Sequence, residues 1–265
     1  MALTETQFAR AAACEESHQR MTALERMSRG ELRALLAGDP ASSAMWIRSA
    51  AEYGVLAAQL LLGRMLLAGH GTARDEGEAC RWFARAAARG NVDGLNMLGR
   101  CHEMGFGVPI NLEAAADCYR RSAEGGHDWG EYNFGNALFD GRGLACDQRQ
   151  ALHWYVRAAC QGHARAMNLA ARCLEEGWGC QRNAAEAGYW YRRSAECGYF
   201  RGQFNYAALL LEQGDYALAA EWFWKAAHGG DQALRDAISR LLATATDAAL
   251  RGVVANVARL RPAPA

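Results

Sequence analysis

The sequence has no excess of charge of either sign and no apolar run long enough to span a membrane. Basic and acidic residues number 29 each, so the formal net charge is zero. This balance gives no indication of a nucleic-acid or membrane partner. No stretch reaches the roughly 18 apolar residues of a membrane span, and the start of the chain lacks the apolar core of a secretory signal. We therefore predict a cytoplasmic protein that binds neither nucleic acid nor membranes.

Lysine is nearly missing, and cysteine follows no regular pattern. Lys225 is the only lysine among the basic residues, which indicates a GC-rich bacterial source. The nine cysteines do not form a regular set of pairs, and cysteines in a chain without an export signal are normally reduced. We therefore predict buried free thiols and no disulfide framework.

The sequence also lacks the spacings that mark metal and catalytic sites. The seven histidines and nine cysteines contain no H-x3-H or C-x2-C pair, so a zinc site is not predicted. The sequence shows no Ser-His-Asp arrangement of the kind that forms a catalytic triad. His102 follows Cys101, but adjacent helical residues point about 100° apart and do not face each other. We predict no catalytic residue, no metal and no cofactor.

What the sequence does contain is a repeat of 36 residues. A small residue, a G-x-G pair, an alanine and an aromatic pair return at this interval, and a fixed period of this length is typical of a solenoid of stacked units. The glycines that mark the period are Gly54, Gly90, Gly126, Gly162 and Gly198. The aromatic pairs are Trp82-Phe83, Trp154-Tyr155, Trp190-Tyr191 and Trp222-Phe223, with Cys118-Tyr119 in the second copy.

Each repeat is predicted to fold as two helices, which we name helix A and helix B. Helix A of the first full unit ends at Gly69-His70-Gly71, where glycine can adopt the left-handed conformation of a C-cap. Helix B begins at Asp75, a good N-cap, and Glu78 three residues later is placed for a capping box. A dinucleotide-binding loop needs a preceding strand and a third glycine, so helix capping explains the G-x-G pairs better.

The ends of the chain depart from the repeat and divide it into three parts. Residues 1–38 are predicted to form an N-terminal helical cap with a degenerate first repeat. Residues 39–230 carry a half repeat, which begins at Asp39-Pro40, and five full units. Residues 231–265 are predicted to hold two capping helices, over 231–243 and 247–260, and a frayed tail.

The repeated residues from Ala58 to about Gly230 resemble the Sel-one-like repeat, a relative of the tetratricopeptide repeat. The chain departs from that pattern at Cys118, at Ala171 and Ala207, and in a short fifth loop. The resemblance implies an all-α fold, a right-handed α-solenoid of antiparallel helix pairs, and a non-enzymatic adaptor. Cysteine-rich members of the family have been credited with penicillin binding or hydrolysis, but this sequence lacks their regular cysteine pairs.

In tetratricopeptide-like stacks helix A lines the concave side, so polar and aromatic residues of helix A are the candidate binding residues. Positions at i, i+3 and i+7 share one helix face. Asparagine can grip a peptide backbone, arginine can take a carboxylate, and Trp and Tyr are frequent anchors. The predicted groove residues are Asn96, Arg100, Trp129, Tyr132, Asn136, Arg165, Asn168 and Arg172.

Three functions stay open at this point. The first is a scaffold or adaptor that binds a protein or peptide with acidic groups in the groove. The second is an inhibitor or immunity-type protein that binds an enzyme or toxin. The third is a hydrolase of the β-lactam or cell-wall type, for which the sequence offers no nucleophile and base.

Overall fold

The computed structural model describes residues 16, 19–24 and 26–260, and within these residues the chain forms helices and turns without a strand. The helices agree with the predicted all-α class. Residues before position 29 that the structure describes are helical between 16 and 26, and the rest of the predicted N-terminal helix lies outside the described residues.

The first six helices are α1 Arg29–Ala37, α2 Pro40–Glu52, α3 Leu56–Ala68, α4 Glu76–Ala88, α5 Val92–Met104 and α6 Leu112–Glu124. The remaining helices are α7 Asp128–Asp140, α8 Gln148–Cys160, α9 Ala164–Glu176, α10 Ala184–Glu196, α11 Phe200–Glu212, α12 Tyr216–Gly229, α13 Gln232–Leu241 and α14 Ala248–Val257.

The chain divides into two compact units, Met1–Gly126 and His127–Ala265. Unit 1 contains α1 to α6, and unit 2 contains α7 to α14. Within each unit, successive helices are joined by short turns and pack side by side, which makes them antiparallel neighbours. The odd-numbered helices from α3 to α11 are the predicted A helices, and the even-numbered helices from α4 to α12 are the B helices.

The core of each unit is built where a small residue of helix A faces an aromatic ring of helix B. In unit 1, Gly63 lies against Phe83, which is fully buried. In unit 2, Gly135 lies against Tyr155 in the same way. The apolar stripe predicted for helix B is therefore confirmed, because its alanine and aromatic positions are buried in α4.

Both glycines of each G-x-G pair have positive φ angles, and each has its own task. The first glycine is the left-handed C-cap of helix A, as at Gly69 (φ 68°) and Gly177 (φ 76°). At Gly71, Gly107 and Gly179 the second glycine approaches the backbone of an earlier helix, so that a Cβ atom on Gly179 would lie 2.5 Å from the carbonyl carbon of Gln148. The first glycine therefore ends helix A, as the capping interpretation predicted, and the close packing at the second glycine is an additional finding of the structure.

The N-caps of helix B form as predicted, but the reciprocal capping box does not. Asp75 accepts a hydrogen bond from the backbone N–H of Glu78 at 2.7 Å. The Glu78 carboxylate instead pairs with Arg48 and accepts from the Trp82 indole N–H at 3.1 Å. At the later repeats the residues three positions on, Gln150 and Glu186, bond to the cap side chains rather than to the cap backbone. A complete capping box is present at Ser28 and Glu31.

The C-terminal helices are shorter than predicted, because α13 ends at Leu241 and α14 at Val257. α14 packs on α12, where Val253 and Val257 join the buried core around Phe223. The predicted tail from 262 lies outside the described residues. The division into 1–38, 39–230 and 231–265 follows the sequence pattern and stays a prediction.

The cysteines that the structure describes are free thiols, as predicted, but they are not all buried. Cys146, Cys160 and Cys197 are exposed to solvent. Cys14 lies outside the described residues. Among the described residues, no helix is both long and apolar enough to cross a membrane.

Candidate functional site

The predicted groove residues fall in both units, and each set is described within its own unit. Asn96 and Arg100 lie on α5 in unit 1. Arg100 is exposed, but Asn96 is only 4% exposed. A buried amide is out of reach of a partner that docks on the surface, so Arg100 is the accessible member of this pair.

In unit 2 a cavity of about 360 Å³ brings together four of the predicted residues. Tyr132 comes from α7, and Arg165, Asn168 and Arg172 come from one face of α9. Helix α11 and the turn before it supply further side chains, and α13 closes the cavity. These additional lining residues are Tyr199, Phe200, Arg201, Phe204, Asn205 and Asp231.

Three arginines of this cavity have no carboxylate partner among the described residues. Arg165, Arg172 and Arg201 lie over aromatic rings instead of acidic groups. Arg165 Cζ is 5.5 Å from the centre of the Trp129 ring and 5.9 Å from that of Tyr199. Contacts of this kind orient a guanidinium group and leave its N–H donors available. The cavity therefore presents three oriented cations, none of which is paired with a carboxylate of the described residues.

The other two lie against rings in the same manner. Arg172 Cζ is 5.2 Å from the centre of the Trp178 ring, and Arg201 Cζ is 5.8 Å from that of Phe200. On an outer helix the pairing is different, since Arg192 Nε lies 2.8 Å from a carboxylate oxygen of Glu196. Arg193 beside it lies over the Tyr189 ring at 5.9 Å, so what distinguishes the three cavity arginines is that they line one cavity.

Two asparagines hold the wall of the cavity together. Asn205 donates a hydrogen bond of 2.8 Å from Nδ2 to Oδ1 of Asn168. Asn168 is 4% exposed, so its carbonyl group is already used within the protein. Little of the Asn168 amide is therefore available for the predicted contact with a peptide backbone.

Trp129 lies in a second cavity of about 360 Å³, and Arg165 and Tyr199 line both cavities. The Trp129 side chain is 42% exposed, which is unusual for so large an apolar ring. Its ring contacts Tyr132 edge-on with centres 5.9 Å apart. Trp129 is thus a partly exposed aromatic ring next to the cavity that holds the three arginines.

The imidazole ring of His163 packs against both rings of this aromatic pair. Its ring stacks on Tyr132 with centres 4.7 Å apart and meets Trp129 edge-on at 4.5 Å. His163 is also the N-cap of α9, since Nδ1 accepts a hydrogen bond from the Ala166 backbone N–H at 3.1 Å. Burial lowers the pKa of His163 below its usual value.

The predicted residue Asn136 lies outside both cavities. Its Oδ1 accepts a 2.9 Å hydrogen bond from the Tyr155 hydroxyl group. The side chain thus joins α7 to α8 and satisfies a buried tyrosine.

Sequence reasoning missed Tyr199, Arg201, Asn205 and His163. Arg201 carried a signal, because it occupies the same repeat position, one repeat after Arg165 and two repeats after Trp129. His163 gave a weaker signal, since histidine is not a usual N-cap. Asn205 is one residue out of register with Asn168, so no ladder of equivalent positions contained both.

No group of histidine, cysteine, aspartate and glutamate within the described part of the chain could hold a metal ion.

Comparison with known proteins agrees with this architecture. A family model described as Sel1 repeat matches residues 56–91, 92–127, 130–163, 164–199 and 201–231. The chain is similar to a protective antigen of uropathogenic Escherichia coli that displays an SLR fold, with 26% identity and a TM-score of 0.71. That match covers 94% of this chain and 60% of the antigen, so the chain spans only part of the antigen's length.

Two further likenesses show the fold alone. A Sel1 repeat protein from Oxalobacter formigenes is 23% identical over 86% of this chain and 100% of its own, with a TM-score of 0.69. An immunity protein from Pseudomonas aeruginosa is 16% identical over 78% of this chain and 84% of its own, with a TM-score of 0.50. No curated protein matches the chain. The matches confirm the predicted repeat and the solenoid of helix pairs.

Proposed function

Since this chain belongs to the Sel1 repeat family, we propose that it is a non-enzymatic scaffold that binds a partner protein through its A helices. Sel1 repeat proteins generally mediate protein–protein interaction. Repeat solenoids are suited to this task, because equivalent positions of successive helices form an extended surface. The mechanism is docking, without turnover of a substrate.

The observation that supports an acidic partner is the group of unpaired arginines in unit 2. Arg165, Arg172 and Arg201 converge on one cavity, and the lining includes a single carboxylate, that of Asp231. Asp231 is already engaged as the N-cap of α13, where it accepts from the Leu234 N–H at 2.9 Å. An acidic segment would supply the missing anions and form charge-assisted hydrogen bonds with planar guanidinium groups.

Trp129 supplies the second part of the interface. A partner that covers this ring removes apolar surface from water, and buried aromatic residues often dominate binding energy. We propose that the partner places acidic groups over Arg165 and Arg172 and an apolar group against Trp129. In unit 1 we propose the exposed Arg100 on α5 as a separate cationic contact for a protein partner.

The proposal is tested by capture of partners from cells of the source organism, followed by calorimetry with the purified partner. Arg165→Ala combined with Arg172→Ala is expected to lower the affinity at least about tenfold, since each lost charge-assisted bond contributes roughly 1.5–3 kcal/mol. The matched control is Arg192→Ala with Arg193→Ala on α10, which removes the same charge from two exposed arginines of an outer helix. Equal losses in both variants, or none in the first, would place the interface elsewhere.

An adaptor and an inhibitor of an enzyme or toxin both act by docking. The likeness to an immunity protein shows the fold alone, so it does not favour the inhibitor. The captured partner separates the two, because only an inhibitor would abolish a catalytic activity of that partner. A hydrolase of the β-lactam or cell-wall type is the least favoured, since Sel1 repeat proteins are typically non-enzymatic.

A further inference from the structure

We infer that His163 is the positioning residue that holds Trp129 and Arg165 in their binding arrangement, and that protonation of His163 releases them. The inference rests on the proposed function only for what the surface binds. The device itself is a property of the free protein.

His163 joins three structural tasks in one side chain. Nδ1 caps α9 by accepting from the Ala166 N–H. One face of the ring stacks on Tyr132, and its edge contacts Trp129. Nε2 has no hydrogen-bond partner among the described residues, and His163 is only 6% exposed. An unpaired buried nitrogen of this kind is unusual, and it is tolerable because a neutral imidazole carries no charge.

Protonation would remove the cap and place a charge in a buried site. The cap needs a lone pair on Nδ1, and both ring nitrogens of an imidazolium are donors. The cation would also lie in a buried site where Nε2 has no acceptor among the described residues, which costs free energy. The imidazolium is therefore expected to leave its site and reach solvent, and the support beneath Trp129 is then lost.

The charged and titratable groups around His163 come from three parts of unit 2. Asp128 on α7 favours the imidazolium, whereas Arg165 on α9 and His127, the cap of α7, oppose it. Tyr132 from α7 contacts the ring directly. Cys197 and Tyr199, from the turn between α10 and α11, line the same cavity. Burial is the largest influence, and it opposes the charge.

Movement of His163 would be transmitted to the cationic cavity through Arg165. The Arg165 guanidinium lies against both Trp129 and Tyr199, and it belongs to both cavities. When Trp129 shifts, Arg165 loses one of the two rings that orient it. Acidification is thus expected to disorder the aromatic anchor and one of its neighbouring cations together.

The test uses fluorine NMR of the full chain labelled with fluorotryptophan, with Trp129→Phe to assign the Trp129 signal. The pH is lowered from about 8 to about 5, which spans the usual histidine pKa of about 6.5. We expect the Trp129 signal to shift with a midpoint below that value. The ring protons of His163, followed in the same unlabelled protein, should share the midpoint.

Two variants separate positioning from general acid effects. His163→Asn keeps an N-cap, as Asn91 does for α5, but cannot titrate, so the Trp129 shift should disappear. His153→Asn removes an exposed histidine that contacts Trp154, so the shift should stay. The same Trp129 titration in His163→Asn, or a wild-type Trp129 signal that does not follow His163, would overturn the inference. Neither readout needs a partner, so a failed capture experiment and a failed switch are distinguishable.

Discussion

Gly63 lies so close to Phe83 that a Cβ atom on Gly63 would come within 2.5 Å of ring atom Cε1. The same relationship joins Gly99 to Tyr119 and Gly135 to Tyr155. The missing side chain lets helix A rest on the aromatic ring of helix B. The packing of each of these repeats therefore depends on two residues about 20 positions apart in the sequence. One is a glycine, which has no side chain, and the other has a large aromatic side chain.

Gly99→Ala tests this contact. A Cβ atom there would lie 2.7 Å from the Tyr119 ring, and overpacking of a core usually costs about 1–3 kcal/mol. Gly252→Ala in α14 is the matched control, because no atom lies near the position of its Cβ. That control should stabilise by roughly 0.5–1 kcal/mol through helix propensity. Urea unfolding measures both, and a Gly99→Ala variant as stable as the control would contradict the packing argument.

The second glycine of the G-x-G pair gives a separate prediction. Gly179 and Gly198 have similar φ angles, 74° and 81°, but only Gly179 lies against backbone, that of Gln148 and Arg149. Alanine at either position should cost about 1–2 kcal/mol for the left-handed conformation. Gly179→Ala should cost more, because the backbone it meets cannot move aside. Thermal unfolding of the two variants side by side decides this, and equal losses would show that φ alone matters.

Stability should fall in mild acid because of His163. Its pKa in the folded state is lowered by burial, so the unfolded chain binds the proton more readily. The contribution of His163 is therefore complete above about pH 6.5 and is lost as the pH falls through the folded pKa. His163→Asn should flatten this decline, whereas His153→Asn should follow the wild type. Urea unfolding across this range provides the comparison, and parallel curves for all three proteins would refute it.

Glu131 should make stability depend on pH in the opposite direction to His163, so that its contribution falls as the pH rises. It is fully buried, with Arg157 Nη2 at 2.9 Å and Gln161 Nε2 at 2.8 Å from its carboxylate. Burial raises its pKa despite these partners. The stability that protonated Glu131 provides is complete below the unfolded value of about 4.3 and is lost as the pH rises through the folded pKa.

Glu131→Gln should therefore gain stability relative to wild type as the pH rises from about 4 to about 7. Glutamine is acceptable at this repeat position, since Gln59 donates a 3.1 Å hydrogen bond to the Ala51 carbonyl group. Glu113→Gln, at an exposed position of α6, is the control and should show no such trend. Unfolding free energies at both ends of the range measure the difference, and a constant or shrinking gain would contradict the assignment.

The helix pairs could be predicted from the sequence because their signals are local. Asp39 and Pro40 start α2, and Gly69 ends α3, through contacts within a few residues. The prediction of a reciprocal capping box at Glu78 was wrong, because the Glu78 carboxylate pairs with Arg48, which lies 30 residues away in the sequence. The predicted set of groove residues stays a prediction, although four of its members share one cavity.

By itself the sequence determined the number, length and order of the repeats, since a 36-residue period, caps and turns act over short distances. Only the tertiary structure decided which polar side chains reach solvent. Asn96 and Asn168 are buried, whereas Arg165 and Arg172 are exposed. It also placed His163 against Trp129 and brought Arg201 into one cavity with Arg165 and Arg172. Exposure and contact at these positions depend on neighbouring helices one repeat away, and no local pattern records how those helices pack.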